Sequence, residues 1–116
     1  MRISVILSIA ALFVTTAAMA APSGWAVVNS NGTLARGTAG TSSSHLNTGV
    51  YEVDFPQSVK KCVFTATTGL SGSSGAQVAG FVTVAGRGSN DAGVFVTTYG
   101  GTGSPQDLGF HLNVRC

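Results

Sequence analysis

The two histidines of this 116-residue chain, His45 and His111, are the side chains best suited to proton transfer. Nucleophilic catalysis would also need a serine or cysteine beside the base and an acid that orients it. The serines lie largely in Gly/Ser-rich stretches, and no G-x-S-x-G motif occurs. His45 is predicted to be an exposed loop residue, and His111 an exposed residue of the last strand. With both histidines exposed and the serines in loops, we predict no catalytic site. Nothing in the spacing supplies a third zinc ligand, so we predict no metal site.

Two carboxylates, Glu52 and Asp54, project from one face of a predicted strand, about 7 Å apart by strand geometry. Such a pair could hydrolyse a glycosidic bond. A solvated pair, or one that protects a sheet edge, is the simpler prediction because no aromatic-lined cleft is evident nearby. Asn90-Asp91, in a glycine-rich turn, could offer oxygens to calcium, but the D-x-D-x-D-G loop is absent. No cofactor is predicted.

Three aromatic residues, Trp25, Tyr51 and Tyr99, could form a platform for sugar stacking if they were exposed together. Tyr51, however, shares its predicted strand face with Val53 and Phe55. That alternation predicts a place in the core for Tyr51.

Short strands must position these side chains. The last segment, residues 110–116, alternates most regularly and directs His111, Asn113 and Arg115 outward, so these three are the candidate surface contacts. Strands are also predicted at residues 25–28, 33–36, 50–55, 62–67, 78–85 and 93–99. After residue 20 no window shows the spacing of an amphipathic helix. The predicted fold is all-β, a small antiparallel β-sandwich or a jelly-roll-like barrel.

Glycine-rich segments separate the predicted strands. Asn31-Gly32 is the strongest hairpin signal, because both residues tolerate the positive φ of a type I′ turn. Residues 69–75 and 100–105 are predicted to be long flexible loops. An edge strand could lie within residues 37–44.

The chain has two cysteines, Cys62 and Cys116, each on the inward side of a predicted strand. We predict one structural disulfide between them. Closing a loop of about 55 residues would stabilise the fold by about 4 kcal/mol. A redox or metal-binding pair is disfavoured because there is no C-x-x-C motif and no histidine adjoins either cysteine.

The first 20 residues are typical of a secretory signal peptide. Arg2 precedes an apolar run over residues 3–14, and Ala18-Met19-Ala20 fits the cleavage site. The run is shorter than the roughly 20 residues that span a bilayer. We therefore predict a signal peptide at residues 1–20 and a single secreted β-domain at residues 21–116, extracellular or periplasmic, with no membrane anchor after cleavage.

The composition limits the possible partners. The chain has six lysines and arginines, one of them Arg2 in the leader, against four acidic residues. A nearly neutral domain lacks the clustered basic residues that nucleic-acid binding requires, so nucleic acid is excluded as a partner. A surface made polar by hydroxyls and amides favours contact with neutral sugars or with other protein copies.

Most of the predicted mature chain follows one pattern. It reads W-A-V-V-N-x-x-G-T-L-x-R-G, then G-x-Y-x-V-x-F, C-x-x-x-A-T and F-H-L-x-V-x-C, beginning at Trp25, Gly49, Cys62 and Phe110. It resembles a group of small, uncharacterised bacterial secreted β-domains. The resemblance implies export and a Cys62–Cys116 bond. Similar domains follow other segments such as collagen-like repeats, which implies a surface-exposed binding or assembly role.

No motif defines a molecular function. The favoured hypothesis is an exported, non-enzymatic binding or assembly module whose ligand is a surface glycan, a protein or its own copies. One alternative is a small secreted hydrolase that uses Glu52, Asp54 or His111. Another is a secreted inhibitor or toxin acting on a protein partner.

Overall fold

The computed structural model describes residues 23–76 and 78–116. The predicted signal peptide, residues 1–20, lies outside the described residues. Every regular element described is a strand: β1 Ser23–Val28, β2 Leu34–Gly37, β3 Ser42–Asn47, β4 Val50–Asp54, β5 Val63–Thr68, β6 Gly80–Arg87, β7 Asn90–Gly100 and β8 Phe110–Arg115. Within the described residues, no helix is long and apolar enough to cross a membrane.

The strands form two four-stranded sheets. The first sheet has the order β2-β1-β8-β5, and the second has the order β3-β4-β7-β6. All neighbouring strands are antiparallel. The prediction of an all-β antiparallel sandwich is therefore confirmed, and the two separate sheets decide against a closed barrel.

The core lies between the sheets because strands such as β4 and β8 alternate buried and exposed residues. Tyr51 of the second sheet meets Phe110 of the first edge to face, with 5.1 Å between ring centroids. Tyr51 is fully buried, as its alternation with Val53 predicts. The rest of the buried apolar cluster comes from both sheets and from the β4–β5 connection: Ala26, Val28, Val53, Phe55, Val59, Val94, Val96, Leu112 and Val114.

The predicted hairpin at Asn31-Gly32 is present, but its turn type differs from the prediction. Only glycines have positive φ among the described residues, so Asn31 does not, and a type I′ turn is ruled out. The Gly32 amide instead donates to the Asn29 carbonyl, and the Asn29 amide donates to the Thr33 carbonyl. With φ of 89° at Gly32, this is a three-residue loop in which one glycine takes the left-handed position.

The irregular stretch at residues 37–44 leads into an edge strand, as suspected, but β3 runs on to Asn47. The alternation of β3 is hidden in the sequence because three serines precede His45. The two predicted loops connect β5 to β6 and β7 to β8.

The predicted disulfide between Cys62 and Cys116 is present. The two cysteines flank the pair Val63 and Arg115, which face each other on β5 and β8. Their Cα atoms are 4.2 Å apart. The bond therefore clamps two neighbouring strands of the first sheet at one end.

Candidate binding site

The three predicted surface residues, His111, Asn113 and Arg115, lie together on the outer face of the first sheet. Strand β8 is an interior strand of that sheet, flanked by β1 and β5. The antiparallel register puts each of the three in a row with one residue of β1 and one of β5. The rows are Val27–His111–Thr67, Trp25–Asn113–Thr65 and Ser23–Arg115–Val63.

A shallow groove of about 330 Å³ follows the first two of these rows. Trp25 borders it with 43% of its surface exposed. The groove is lined by Trp25, Ala26, Val27, Thr65, Ala66, Thr67, His111, Leu112 and Asn113. Apolar groups thus form much of its floor, while an amide, an imidazole and two hydroxyls supply hydrogen-bonding groups.

A segment of the β5–β6 loop, residues 69–71, contacts side chains on the outer face of the first sheet beside this groove; we call it the strap. His111 Nε2 lies 2.9 Å from the Leu70 carbonyl oxygen. Because a carbonyl only accepts, this nitrogen carries the proton in that contact. Arg36 of β2 donates to the Ser71 carbonyl at 2.6 Å.

The two anchors of the strap show how far it reaches. The loop leaves β5, whereas Arg36 lies on β2, three strand spacings or roughly 14 Å away across the sheet. Arg36 and His111 both lie in the row of Val27. Val27 is only 5% exposed although it points away from the core. We infer that the strap covers Val27 and forms the end wall of the groove.

No acidic residue lines the groove. The acidic side chains Glu52 and Asp54 lie on the second sheet instead. Asp107 lies in the β7–β8 loop. The groove therefore offers no carboxylate to pair with a cationic ligand.

His45 was predicted to be a loop residue, and that prediction is wrong. It lies on β3, with its ring 5.2 Å from that of Tyr51 and Nε2 2.9 Å from Asp107 Oδ1. The same oxygen accepts the Gly49 amide at 2.6 Å. The Gly49 and His45 contacts hold the pKa of Asp107 below its usual value. This group ties the β7–β8 loop to β3 and β4.

Tyr51 contacts the same group of residues from the core, with its hydroxyl 3.4 Å from Asp107 Oδ1. Its hydroxyl donates to the Ser30 carbonyl at 2.6 Å. Burial, followed by the nearby charge of Asp107, raises the pKa of Tyr51 to about 12. The phenol is therefore a neutral hydrogen-bond donor at physiological pH.

Glu52 and Asp54 were predicted to be solvated or to protect a sheet edge, and that prediction is wrong. Strand β4 is interior to its sheet, and both residues are only partly exposed. Glu52 Oε1 lies 2.6 Å from Arg87 Nε. Asp54 Oδ1 accepts from Asn90 Nδ2 at 2.7 Å. The pair is part of a structural polar network.

Asn90-Asp91 carries oxygen atoms of the kind that calcium binds. The Asn90 side chain bonds to Asp54, and its oxygen also accepts the Ala92 amide at 3.1 Å. In residues 23–76 and 78–116, no three His, Cys, Asp or Glu side chains are grouped so that they could hold a metal ion. Asn90 therefore stabilises the β6–β7 turn.

Burial, followed by the hydrogen bond to Glu52, raises the pKa of Asp54 from 3.8 to about 6. The folded protein thus holds this proton more tightly than the unfolded chain. The stability from this proton is fully present below pH 3.8 and is lost as the pH rises through about 6. We expect Asp54→Asn to increase the free energy of unfolding at pH 7 by about 1–2 kcal/mol and to remove this pH dependence.

Urea unfolding at pH 4 and pH 7 measures this effect, with the exposed Asp91→Asn as the matched control. Asparagine keeps the acceptor for Asn90 and adds a donor toward Glu52. Equal pH dependence in Asp54→Asn and the wild type would contradict the account of this network.

The three aromatic residues do not form one platform. Tyr51 is buried, while Trp25 and Tyr99 lie on the outer faces of different sheets. Tyr99 stacks on Phe81 of β6, with 4.8 Å between ring centroids. Only Trp25 of the three is close to the residues predicted as surface contacts.

From the sequence, Trp25 of β1 was a sugar-stacking candidate and the β8 residues of the groove were candidate surface contacts, but Val27 of β1 and the β5 residues were missed. The alternation of Thr65 and Thr67 with Phe64 and Ala66 was visible. Which strands neighbour β8 was not visible, since pairing brings together residues far apart in the chain. For the strap, the sequence predicted only a flexible loop and not its contacts with the sheet.

The fold and this face define a small two-sheet β-sandwich with one disulfide inside its first sheet and a groove on the outer face of that sheet. No protein-family model, curated protein or solved structure matches the chain.

Proposed function

We propose that this protein is an exported, non-enzymatic binding module that holds a neutral saccharide in the groove of the first sheet. The observation that carries the proposal is the row Trp25–Asn113–Thr65, in which a half-exposed indole adjoins an amide and a hydroxyl. The row belongs to a groove closed at one end by the strap.

A saccharide suits this mixture of groups because a pyranose ring is amphipathic. Its C–H face packs against the electron-rich face of an indole, and its hydroxyls need partners in the same plane. Trp25 and the threonine methyl groups offer the apolar contact. Asn113 both donates and accepts, as vicinal hydroxyls require.

The charge of the groove favours a neutral sugar. Its lining includes no lysine, arginine, aspartate or glutamate. His111 already donates to the strap, so its imidazole does not need a ligand anion. A hydrogen-bonding ligand without charge leaves no charge buried and unpaired.

Export is supported by two observations. The first 20 residues follow the signal-peptide pattern. The domain contains a disulfide, which persists in oxidising compartments. The resemblance to bacterial secreted β-domains also favours export and a surface-exposed binding role. Secretion to the periplasm or the medium fits a module that meets extracellular glycans.

The hydrolase alternative has less support. Glu52 is paired with Arg87, and Asp54 is bonded to Asn90. His111 lies on the other sheet, so the three proposed catalytic groups are dispersed over two faces. Binding to a protein partner or to its own copies remains an alternative outcome of the experiment below.

Titration calorimetry of the mature oxidised domain against neutral oligosaccharides of glucose, mannose and N-acetylglucosamine tests the proposal. Trp25→Ala is expected to weaken binding at least about tenfold, because the stacking contact is lost. Asn113→Ala is expected to weaken binding roughly three- to tenfold, the effect of one hydrogen bond.

Phe81→Ala is the matched control. Phe81 is an aromatic residue with 49% of its surface exposed, comparable to Trp25, but it lies on the second sheet. Its replacement should leave saccharide affinity within about twofold of wild type. Absence of binding in the wild type, or equal loss in Phe81→Ala and Trp25→Ala, would contradict the proposed function. In that case light scattering and capture of protein partners would test the assembly and inhibitor alternatives.

A further inference from the structure

The two ends of the groove differ. The strap crosses the sheet at the row Val27–His111–Thr67, held by Arg36 and His111. Gly69 permits this close approach, since a Cβ on it would lie 3.1 Å from the His111 ring. A ligand that lies along the strands meets the strap at this end.

The opposite end is exposed. The row Ser23–Arg115–Val63 follows Trp25–Asn113–Thr65 along the strands, one two-residue step or roughly 7 Å away. Val63 is 66% exposed, and Ser23 and Arg115 are also exposed. An extended ligand can therefore continue past these residues into solvent.

The size of the groove limits how much of a chain it holds. A volume of about 330 Å³ is at the lower end of the range for small-molecule sites. From the strap to the exposed end, the three rows span two such steps, roughly 14 Å. This length accommodates one or two sugar rings.

We propose that the groove recognises the terminal one or two rings of a neutral glycan chain and excludes internal segments. An internal segment would have to continue through the strap, whereas a chain end can stop against it. The inference rests on the proposed function and adds the position within the glycan that is bound.

Terminal recognition makes two quantitative predictions. Affinity should rise from the monosaccharide to the disaccharide and then stay within about twofold up to six rings, because further rings lie in solvent. A long polymer should bind about one domain per recognised chain end, whatever its length. An open groove that binds internal segments would instead bind more domains as the polymer lengthens.

Calorimetry with one to six rings of glucose, mannose or N-acetylglucosamine, together with long polymers of the same sugars, measures both quantities. A plateau after two rings with one domain per end supports the inference. Affinity that rises with every added ring, or several domains per linear polymer, would overturn it while leaving the proposed function intact. If no sugar binds, the proposed function fails and this inference fails with it.

Removing one anchor tests the role of the strap. Arg36→Ala deletes the contact to Ser71 from a side chain that does not line the groove. We expect the affinity for the disaccharide to fall roughly three- to tenfold, because the strap that forms the end wall loses one of its two anchoring hydrogen bonds. Lys61→Ala, at an exposed basic residue outside the groove, should change it by less than about twofold. Equal effects in the two variants would count against an end wall at the strap.

Discussion

Replacing both Cys62 and Cys116 with alanine is expected to lower the free energy of unfolding by about 4 kcal/mol. The bond closes a loop with a sequence separation of 54, and most of its effect comes from restricting the unfolded chain. A domain of this size is stable by only about 5–15 kcal/mol. We therefore expect a large drop in the urea midpoint.

Val63→Ala serves as the control for this measurement, because Val63 lies next to Cys62 on β5 but is exposed. Its effect should stay within about 0.5 kcal/mol. A loss below about 1 kcal/mol in the double cysteine variant would contradict the assigned role of the bond. Addition of a reductant to the wild type should reproduce the effect of the double substitution.

Gly49→Ala is expected to cost about 3 kcal/mol. Gly49 has φ of 69° in the β3–β4 turn, a conformation that costs other residues roughly 1–2 kcal/mol. A Cβ on it would also lie 2.6 Å from the Thr98 carbonyl and 3.0 Å from the Gln106 amide. Both neighbours are backbone atoms, so strand β7 and the β7–β8 loop would have to move.

Gly103→Ala separates the conformational cost of positive φ from the steric cost of the added Cβ. Gly103 also has positive φ, at 87°, but a Cβ there would meet no atom within 4 Å. It should therefore show only the conformational cost of roughly 1–2 kcal/mol. If thermal or urea unfolding gave equal losses for the two glycine variants, the close packing of the β3–β4 turn would be refuted.

The fold class could be predicted because period-2 alternation is strong in β4 and β8. Tyr51 and Val53 are buried as their spacing predicts, and His111 and Asn113 face outward. Alternation reports which face a residue occupies, and it does so without any knowledge of partner strands. The cysteine pairing was equally accessible, since the chain has only two cysteines.

The site could be predicted only in part, because it depends on strand order. Trp25 reaches Asn113 through pairing across almost the whole chain. His45 was misplaced because a run of serines carries no hydropathy pattern, although tertiary pairing with β4 makes it a strand. The position of the strap depends on two contacts to backbone carbonyls, which any sequence can offer.

The fluorescence of Trp25 provides the most direct test of saccharide binding in the groove, because it is the single tryptophan of the chain. The mature domain should be titrated with neutral oligosaccharides while its emission and its quenching by acrylamide are recorded. Binding of a saccharide in the groove should shift the emission to shorter wavelength and protect the indole from quenching, because the sugar covers it. A saccharide that binds by calorimetry but leaves both signals unchanged, or no binding by any of the sugars, would contradict it.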